Sequence, residues 1–425
     1  MSQVEDPPRS RPKLLFLSQV LPYPPDGGVK IRTFHTLRLL SHSFDVTALC
    51  FYRWKKGLVE QDLKASVSAL EDFSTDLEIF PIPQEHDWWR LPADHLSSLF
   101  SGRPYTVPTY RSQQFTARLQ HWLENRQFSL VHADSLDLSG YFDELPPGLP
   151  LTCVHHDAQS RLLRRRAEKE PNPLKARYLR MQAELMEKEE KRWCPSVDLN
   201  VTVSETDLSY LRDSVGGGKY TVVANGVDTE KFRPPREPPK PNDVMFVGGT
   251  SWFPNKDALH FFADEVLPTL RELVPDVTVT WVGRATPEEI KEFSARPGLR
   301  LTGYVDDIRP YVAKASCFIV PIRVGGGTRI KILDGWAMGK AIVSTTIGCE
   351  GLLAEHGENI LVADSPQDLA DSISLVLRDS ETRRRLEKTG RRTAESHYSW
   401  EIIGKHMTQR YFDMIKDARA DDTLH

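Results

Sequence analysis

Short apolar runs rich in Val, Ile, Leu and Phe recur along the chain, and most are followed by a stretch in which apolar positions return at helical spacing. In the first half the runs fall at residues 14–17, 46–50, 77–80, 130–132, 151–154, 199–203 and 220–223, and in the second at 244–247, 277–282, 299–302, 317–320 and 341–344. This strand-then-helix alternation predicts parallel sheets covered on both faces by helices. The rhythm breaks once. Residues 233–242, RPPREPPKPN, hold five prolines and continue neither helix nor strand, so they predict an extended linker joining two similar α/β halves with a cleft between them.

In open α/β sheets ligands bind beyond the carboxyl ends of strands, so the chemistry is sought in the loops there. The stretch 321–345, PIRVGGGTRIKILDGWAMGKAIVST, is the most informative. A buried strand empties into Gly325, Gly326 and Gly327, and helical spacing runs from Thr328 to Met338. Glycines let backbone N–H groups approach a ligand, and the positive end of the helix faces it, which favours phosphate. Within that helix Ile330, Leu333 and Ala337 form an apolar stripe, yet Asp334 lies beside it. A sugar hydroxyl would account for this carboxylate; an ion pair with Lys331 three residues earlier is the alternative.

Other strand ends add to this. Gly27 and Gly28 make a turn before a helix starting near Val29, either for close approach to a diphosphate or as turn chemistry alone. The strand 151–154 stops at His155-His156-Asp157, three polar, titratable groups where a site role competes with a structural one. The segment 246–256, FVGGTSWFPNK, repeats the strand-glycine-helix logic, and residues 303–308, GYVDDI, form a loop that would hold a base edge.

Composition narrows the class. With 55 basic and 59 acidic residues the net charge is −4, which gives no electrostatic case for nucleic-acid binding. The five cysteines show no CxxC pair, and three fall in predicted strands, so they read as reduced core residues. No apolar run approaches eighteen residues and the first twelve residues are polar and proline-bearing, so a cytoplasmic location is expected, with peripheral contact at the inner face of a membrane left open. No Asp-x-Asp lies at a predicted strand end, which leaves metal ligation unsupported, and no G-x-G-x-x-G follows the first strand as a nicotinamide enzyme would require.

Taken together, the Gly27-Gly28 turn, the strand ends at Val131-His132 and Val154-His155, the segment 223–228 (VANGVD) with Phe232, the strand end 246–248 and the glycine-rich helix start at 325–338 resemble the group 1, or family 4, nucleotide-sugar glycosyltransferases. The GGGTRIKILD variant and the loop 252–255 (WFPN) are most similar to the sugar transferases associated with bacterial exopolysaccharide and PEP-CTERM systems. The resemblance implies the GT-B architecture, two facing Rossmann-like domains with parallel sheets: an acceptor domain at 1–232, the linker at 233–242, a nucleotide-sugar domain at 243–398 and a helix at 399–425 returning to the first domain. It implies a retaining transfer from a nucleotide diphosphate sugar, a co-substrate, to the hydroxyl of a glycan or lipid-linked acceptor, with no cofactor and no obligatory metal. Residue by residue, it implies His155 against the donor sugar with His156 as fallback. For the donor it implies Gly27, Gly28, Gly249, Lys256, Tyr304, Val305, Gly326, Gly327, Thr328, Arg329, Ile330, Lys331 and Asp334.

The chain also departs from the family. Of the two glutamates the family sets eight positions apart, the first falls on Gly326 and the second on Asp334, and the first member of its basic pair falls on Gly249. Lys256 is one candidate for the second member; Arg329 and Lys331 are the alternatives for supplying charge. These losses motivate a second expectation, a GT-B protein that binds nucleotide or glycan without transfer. On the acceptor side, Trp88, Trp89, Leu91, Leu96, Leu99 and Phe100 with the cluster Arg161, Arg164, Arg165 and Arg166 fit a membrane-surface acceptor. They fit more simply tryptophans packed under a loop and arginines paired with Glu168, Glu170 and the acidic helix 184–190.

Overall fold

The apolar runs do become strands, assembled into two parallel sheets in a computed structural model that describes residues 11–53, 60–86 and 89–422. In the first unit the strands are β1 (Lys13–Ser18), β2 (Asp45–Tyr52), β3 (Asp76–Pro81), β4 (Leu130–Ala133), β5 (Leu151–His155), β6 (Leu199–Thr202) and β7 (Tyr220–Val222). In the second they are β8 (Asp243–Val247), β9 (Thr278–Val282), β10 (Leu299–Leu301), β11 (Cys317–Val320), β12 (Ile342–Ser344) and β13 (Leu361–Val362). The sheet orders are β3-β2-β1-β4-β5-β6-β7 and β10-β9-β8-β11-β12-β13. Each reverses direction at one place, β1 beside β4 and β8 beside β11, the switch point where doubly wound sheets leave a crevice for a ligand.

Burial explains the composition of these strands. Leu14, Leu15, Phe16 and Leu17 of β1, like Cys317, Phe318, Ile319 and Val320 of β11, have no exposed surface. In the first unit Phe51 stacks on Phe115 with centroids 4.6 Å apart, and in the second Trp281 stacks on Phe246 at 3.8 Å. The Trp336 indole is fully buried and donates its N–H to the Asn359 carbonyl oxygen at 2.8 Å. All five cysteines are buried and unbridged.

The composition break and the crossing between units do not coincide. The chain leaves the first unit between Val223 and Ala224, ahead of the prolines, so Ala224–Phe232 pack with the second unit rather than with the first. Residues 233–242 form neither helix nor strand, but they are pinned to the second unit. Lys240 N–H donates to Lys314 O at 2.8 Å, Ser316 Oγ donates to Lys240 O at 2.6 Å, and Arg391 donates to Phe232 O at 2.8 Å. Proline there fixes an extended path along a surface; the unit boundary lies at the end of β7. The last helix, Trp400–Asp422, contributes its residues from Gly404 onward to the first unit, where Gly404 lies against Leu39 and Tyr411 has no exposed surface.

Candidate functional site

In the second unit the loops after β8, β9 and β10 converge through glycine. Gly283, at φ 151, pairs with Gly303, and a Cβ on Gly283 would come within 2.6 Å of the Gly248 backbone. Arg284 follows directly and lies over the Tyr304 ring, 4.6 Å from its centroid. Tyr304 is exposed and Val305 packs against the core beside it. Arg284 was not anticipated; its signal is the Val-Gly-Arg ending of β9, which repeats the Val-Gly-Gly ending of β8.

The β11 loop is longer than its helical spacing predicts. Gly325 (φ 142) and Gly327 (φ 64) adopt backbone conformations that side chains disfavour, so the chain stays irregular through Thr328 and the helix begins at Ile330, ending at Ala337. Arg329 is therefore the N-cap and not a first-turn residue. Its buried guanidinium donates to the Gly326 carbonyl and, at 2.8 Å, to the Gly327 carbonyl, bracing the loop, and lies 5.7 Å from the Trp252 ring centroid. Thr328 Oγ1 accepts from Asn225 Nδ2 at 2.5 Å.

Lys331 does not pair with Asp334. Its ammonium crosses to Asn255, donating to Oδ1 at 2.8 Å over the face of Phe246, 4.0 Å from the ring centroid. Burial, with Arg329 nearby, pushes this ammonium well below its usual value, and no described carboxylate forms an ion pair with it. Lys256 is spoken for. Its ammonium lies 2.9 Å from Glu289 Oε1, while Glu289 also accepts from Thr250 Oγ1 at 2.6 Å and closes the capping box at Thr286. Against the raising effect of burial, these bonds hold the Glu289 carboxyl down at about 2. Asp307 is likewise engaged, accepting from Arg309 Nη2 at 2.8 Å.

Asp334 is different: half-buried, it accepts no hydrogen bond through its side chain from any described residue. Burial pushes its carboxyl up to about 7, with Lys231 acting the other way.

In the first unit Gly27 caps the helix Gly28–Ser41 in extended conformation, and a Cβ there would meet no atom within 4 Å. The inner turns of this helix reach a polar cluster at the β1/β4 switch point. Asp134, just past β4 and fully buried, accepts from Thr33 Oγ1 at 2.6 Å and from Ser18 Oγ at 3.4 Å. His156 Nε2 lies 2.7 Å from the Asp134 carbonyl oxygen, so this nitrogen carries the proton. Its Nδ1 has no hydrogen-bond partner among the described residues. His132 Nε2 sits 3.7 Å from Asp134 Oδ1 while its Nδ1 meets the Tyr411 hydroxyl at 2.7 Å. Burial alone would raise the Asp134 carboxyl, but His156 and His132 outweigh it and hold the group well below the usual carboxylate range. The buried Arg32 stays cationic, lowered only to about 10 by burial because Asp134 opposes the shift. Ser18, Arg32, Thr33 and Asp134 escaped the sequence reading, although the ending His-Ala-Asp of β4 places an acid two residues past the noted Val131-His132.

His155 is the last residue of β5 and turns inward. It is 4 % exposed, its Nε2 lies 2.9 Å from Asn200 Oδ1, and burial lowers its pKa to about 4. His156, 13 % exposed at its side chain, is the member of the pair that reaches toward solvent. Trp88 lies outside the described residues. Trp89 is 55 % exposed, whereas Arg164 pairs with Glu187 and Arg161 stacks on Tyr210, so the aromatic is not packed away but two of the arginines are engaged structurally. Among the described residues no helix is long and apolar enough to cross a membrane.

Comparison with known proteins places both halves. Residues 83–231 match the glycosyltransferase family 4 model and residues 241–379 the glycosyl transferases group 1 model. An uncharacterised 44.6 kDa protein in the cps region of Klebsiella pneumoniae is 29% identical over 130 residues, 29% of this chain and 34% of that protein. The lipopolysaccharide core biosynthesis glycosyltransferase LpsE of Rhizobium meliloti is 30% identical over 119 residues, 28% of this chain. The chain thus spans about a third (34%) of the length of the curated relatives it matches. Among solved structures, Anabaena Alr3699/HepE in complex with UDP-glucose superposes with a TM-score of 0.64 at 15% identity, covering 95% of this chain and 100% of that one. The two halves thus match the glycosyltransferase family 4 and the glycosyl transferases group 1 models respectively, and the chain carries a GT-B fold of two Rossmann-like units.

Proposed function

We propose that this protein is a retaining glycosyltransferase that moves a sugar from a nucleotide diphosphate sugar to an acceptor hydroxyl, in the synthesis of an extracellular polysaccharide or related glycoconjugate. The observation that carries the reading is the β8/β11 switch point. There a glycine-rich loop, the N-terminus of the helix Ile330–Ala337, two neighbouring cations and an unpartnered carboxylate stand together. Arg329 and Lys331 take the diphosphate, and Asp334 takes the ribose hydroxyls, its ionised form gaining the hydrogen-bond donors it lacks in the free protein. Lys331, bonded to Asn255, supplies from the helix side the charge that Lys256 spends on Glu289. Gly326 contributes backbone alone, and the Arg284–Tyr304 pair with Val305 fits the base.

Departure of the nucleoside diphosphate develops negative charge on the leaving phosphate, which fixed cations and helix N–H groups stabilise more in the transition state than before it. His156, its Nε2–H anchored on Asp134 O and its Nδ1 open, is the group assigned to the reacting sugar in place of His155. The relatives support the substrate class: the HepE structure holds UDP-glucose and LpsE serves lipopolysaccharide core biosynthesis.

Because protein cations neutralise the diphosphate, chelation is expected to leave turnover nearly intact. Incubation with a panel of nucleotide sugars without acceptor should release nucleoside diphosphate slowly from one of them. Release that is abolished by EDTA and restored by magnesium contradicts the charge assignment, and tight nucleotide binding without any release supports a non-catalytic binding protein instead.

A further inference from the structure

The helix Gln159–Lys169 of the first unit starts at a residue that cannot cap it. The Ala158 carbonyl accepts the first helical bond, from Leu162 N–H at 3.0 Å, and the alanine methyl has no acceptor to offer the N–H groups that follow. The next two helices are capped locally, Pro173–Trp193 by the Asn172 side chain and Glu205–Val215 by that of Ser204. These same two helices supply what Ala158 lacks. Glu190 Oε1, in the last turn of the first, accepts from Ser160 N–H at 3.2 Å, and Asp207 Oδ1, in the first turn of the second, accepts from Ala158 N–H at 3.3 Å.

The two carboxylates are held differently. Asp207 also accepts from Ser204 Oγ at 2.7 Å, which ties it to its own helix start. Glu190 is 1 % exposed, and its Oε2 has no hydrogen-bond partner among the described residues. Burial raises its carboxyl to about 7; Ser160 opposes the shift, and Asp157 and Glu187 add to it. Burying an acid with one oxygen unpartnered costs stability, so its use is to be sought in the bond that the other oxygen makes.

That bond lies four residues from the proposed reacting histidine. His156 is fixed by its Nε2–H on the Asp134 carbonyl, and its Nδ1 has no partner among the described residues. Only Asp157 separates it from Ala158. Where the first turn sits therefore decides where the imidazole sits, and a shift of about 1 Å in a reacting group can cost about a hundredfold in rate.

We infer that Glu190 is a positioning residue for His156: its Oε1, on the Ser160 N–H, sets the place of the helix start and through it the place of the imidazole. The inference rests on the part given to His156 in the proposed function, and its first readout needs neither donor nor acceptor.

The full chain is labelled with ring-13C histidine, and the His156 signal is identified by its loss in His156→Ala. Glu190→Gln keeps an oxygen at the same reach, whereas Glu190→Asp keeps the acid but withdraws it by one carbon–carbon bond, about 1.5 Å. Ser160→Pro removes the N–H while leaving Glu190 in place, in a first turn where proline is tolerated. The His156 signal should stay near its wild-type position in Glu190→Gln and shift in Glu190→Asp and Ser160→Pro, while that of the exposed His121 stays in all three. In hydrolysis of UDP-, GDP- and ADP-glucose, Glu190→Asp should lower kcat by about tenfold with KM within about twofold, and Glu190→Gln should keep most of the rate. In a His156→Ala background Glu190→Asp should cost nothing more.

A His156 signal that Glu190→Asp and Ser160→Pro leave unmoved overturns the inference. So does a loss of kcat that is equal in both backgrounds, or equal in Glu190→Gln and Glu190→Asp, since loosening of the fold or loss of charge would then account for it. Wild-type turnover in His156→Ala, or no hydrolysis by the wild type, counts against the proposed function; the labelled signal still decides whether Glu190 places the imidazole.

Discussion

Replacing Asp334 by Asn tests the donor site through two opposing effects. In the ligand-free protein the carboxyl is raised from 3.8 to about 7 by burial, and no described residue bonds to it. A group held protonated by the fold while the unfolded chain ionises it makes the folded state the tighter proton binder between those two values. Stability therefore falls as pH rises through that window, and the loss is complete above pH 7. The displacement corresponds to about 4 kcal/mol at about 1.36 kcal/mol per unit, and water reaching the half-buried carboxylate reduces this to about 1–2 kcal/mol. Asp334→Asn should thus raise the thermal midpoint by about 2–6 °C at pH 8 and leave it unchanged near pH 3.5.

Binding should move the other way. Ribose hydroxyls donating to the ionised form contribute about 1.5–3 kcal/mol, so the variant should lose about ten- to a hundredfold in nucleoside diphosphate affinity at pH 8. At pH 6.5 the wild type should release roughly 0.7 proton on binding, measurable by calorimetry in buffers of different ionisation enthalpy, and the variant none. Unchanged nucleotide affinity, or binding without proton release in the wild type, would remove Asp334 from the site.

Turnover should fall by about a hundredfold or more in His156→Ala with donor affinity nearly kept, whereas His155→Ala should act mainly on stability, since it strips Asn200 of its buried partner. The opposite ranking in kcat returns the role to His155. Lys331→Met and Arg329→Ala should weaken nucleoside diphosphate binding by about tenfold or more while sparing the nucleoside. Lys256→Ala should do much less, and a larger loss there would show that the Glu289 pair opens for the ligand. Gly390→Ala places a methyl against the Trp336 indole in the second unit and should cost about 1–3 kcal/mol, read as a lowered denaturation midpoint. A wild-type midpoint would mean the helix Ser380–His397 shifts at little cost.

The parallel sheets were legible because their strands are buried on both faces, and a continuous apolar run such as 14–17 has few other uses. Glycines at strand ends were legible for a related reason, since Gly325, Gly327 and Gly283 occupy backbone conformations that other residues resist. Side-chain direction was not legible. Nothing local distinguishes His155 from His156; the choice depends on Asn200 and Asp134, forty-five and twenty-two positions away in sequence. The basic residues failed in the same manner. Lys256 and Lys331 are equally basic on paper, and only the placement of Glu289 and Asn255 decides which one is already neutralised. The proline run misled because it marks a rigid path and says little about where contacts change hands. The exposed leucines of Arg90–Ser101 were visible as a cluster, but their outward face was set by Asp94 and Ser98 being turned inward.

The Tyr411 hydroxyl, fully buried beside His132, links the helix Trp400–Asp422 to the polar cluster around Asp134. Its contact reaches from the last helix to the imidazole that, with His156, holds the Asp134 charge in place. A ribosome has therefore to pass residue 411 before the cluster behind the proposed reacting histidine can close. Up to that moment the glycine-rich loop of the second unit, and the nucleotide site proposed there, can already form. On the proposed function, a chain cut before residue 411 should bind nucleotide without turnover, and a change that unwinds this helix should look like an active-site lesion.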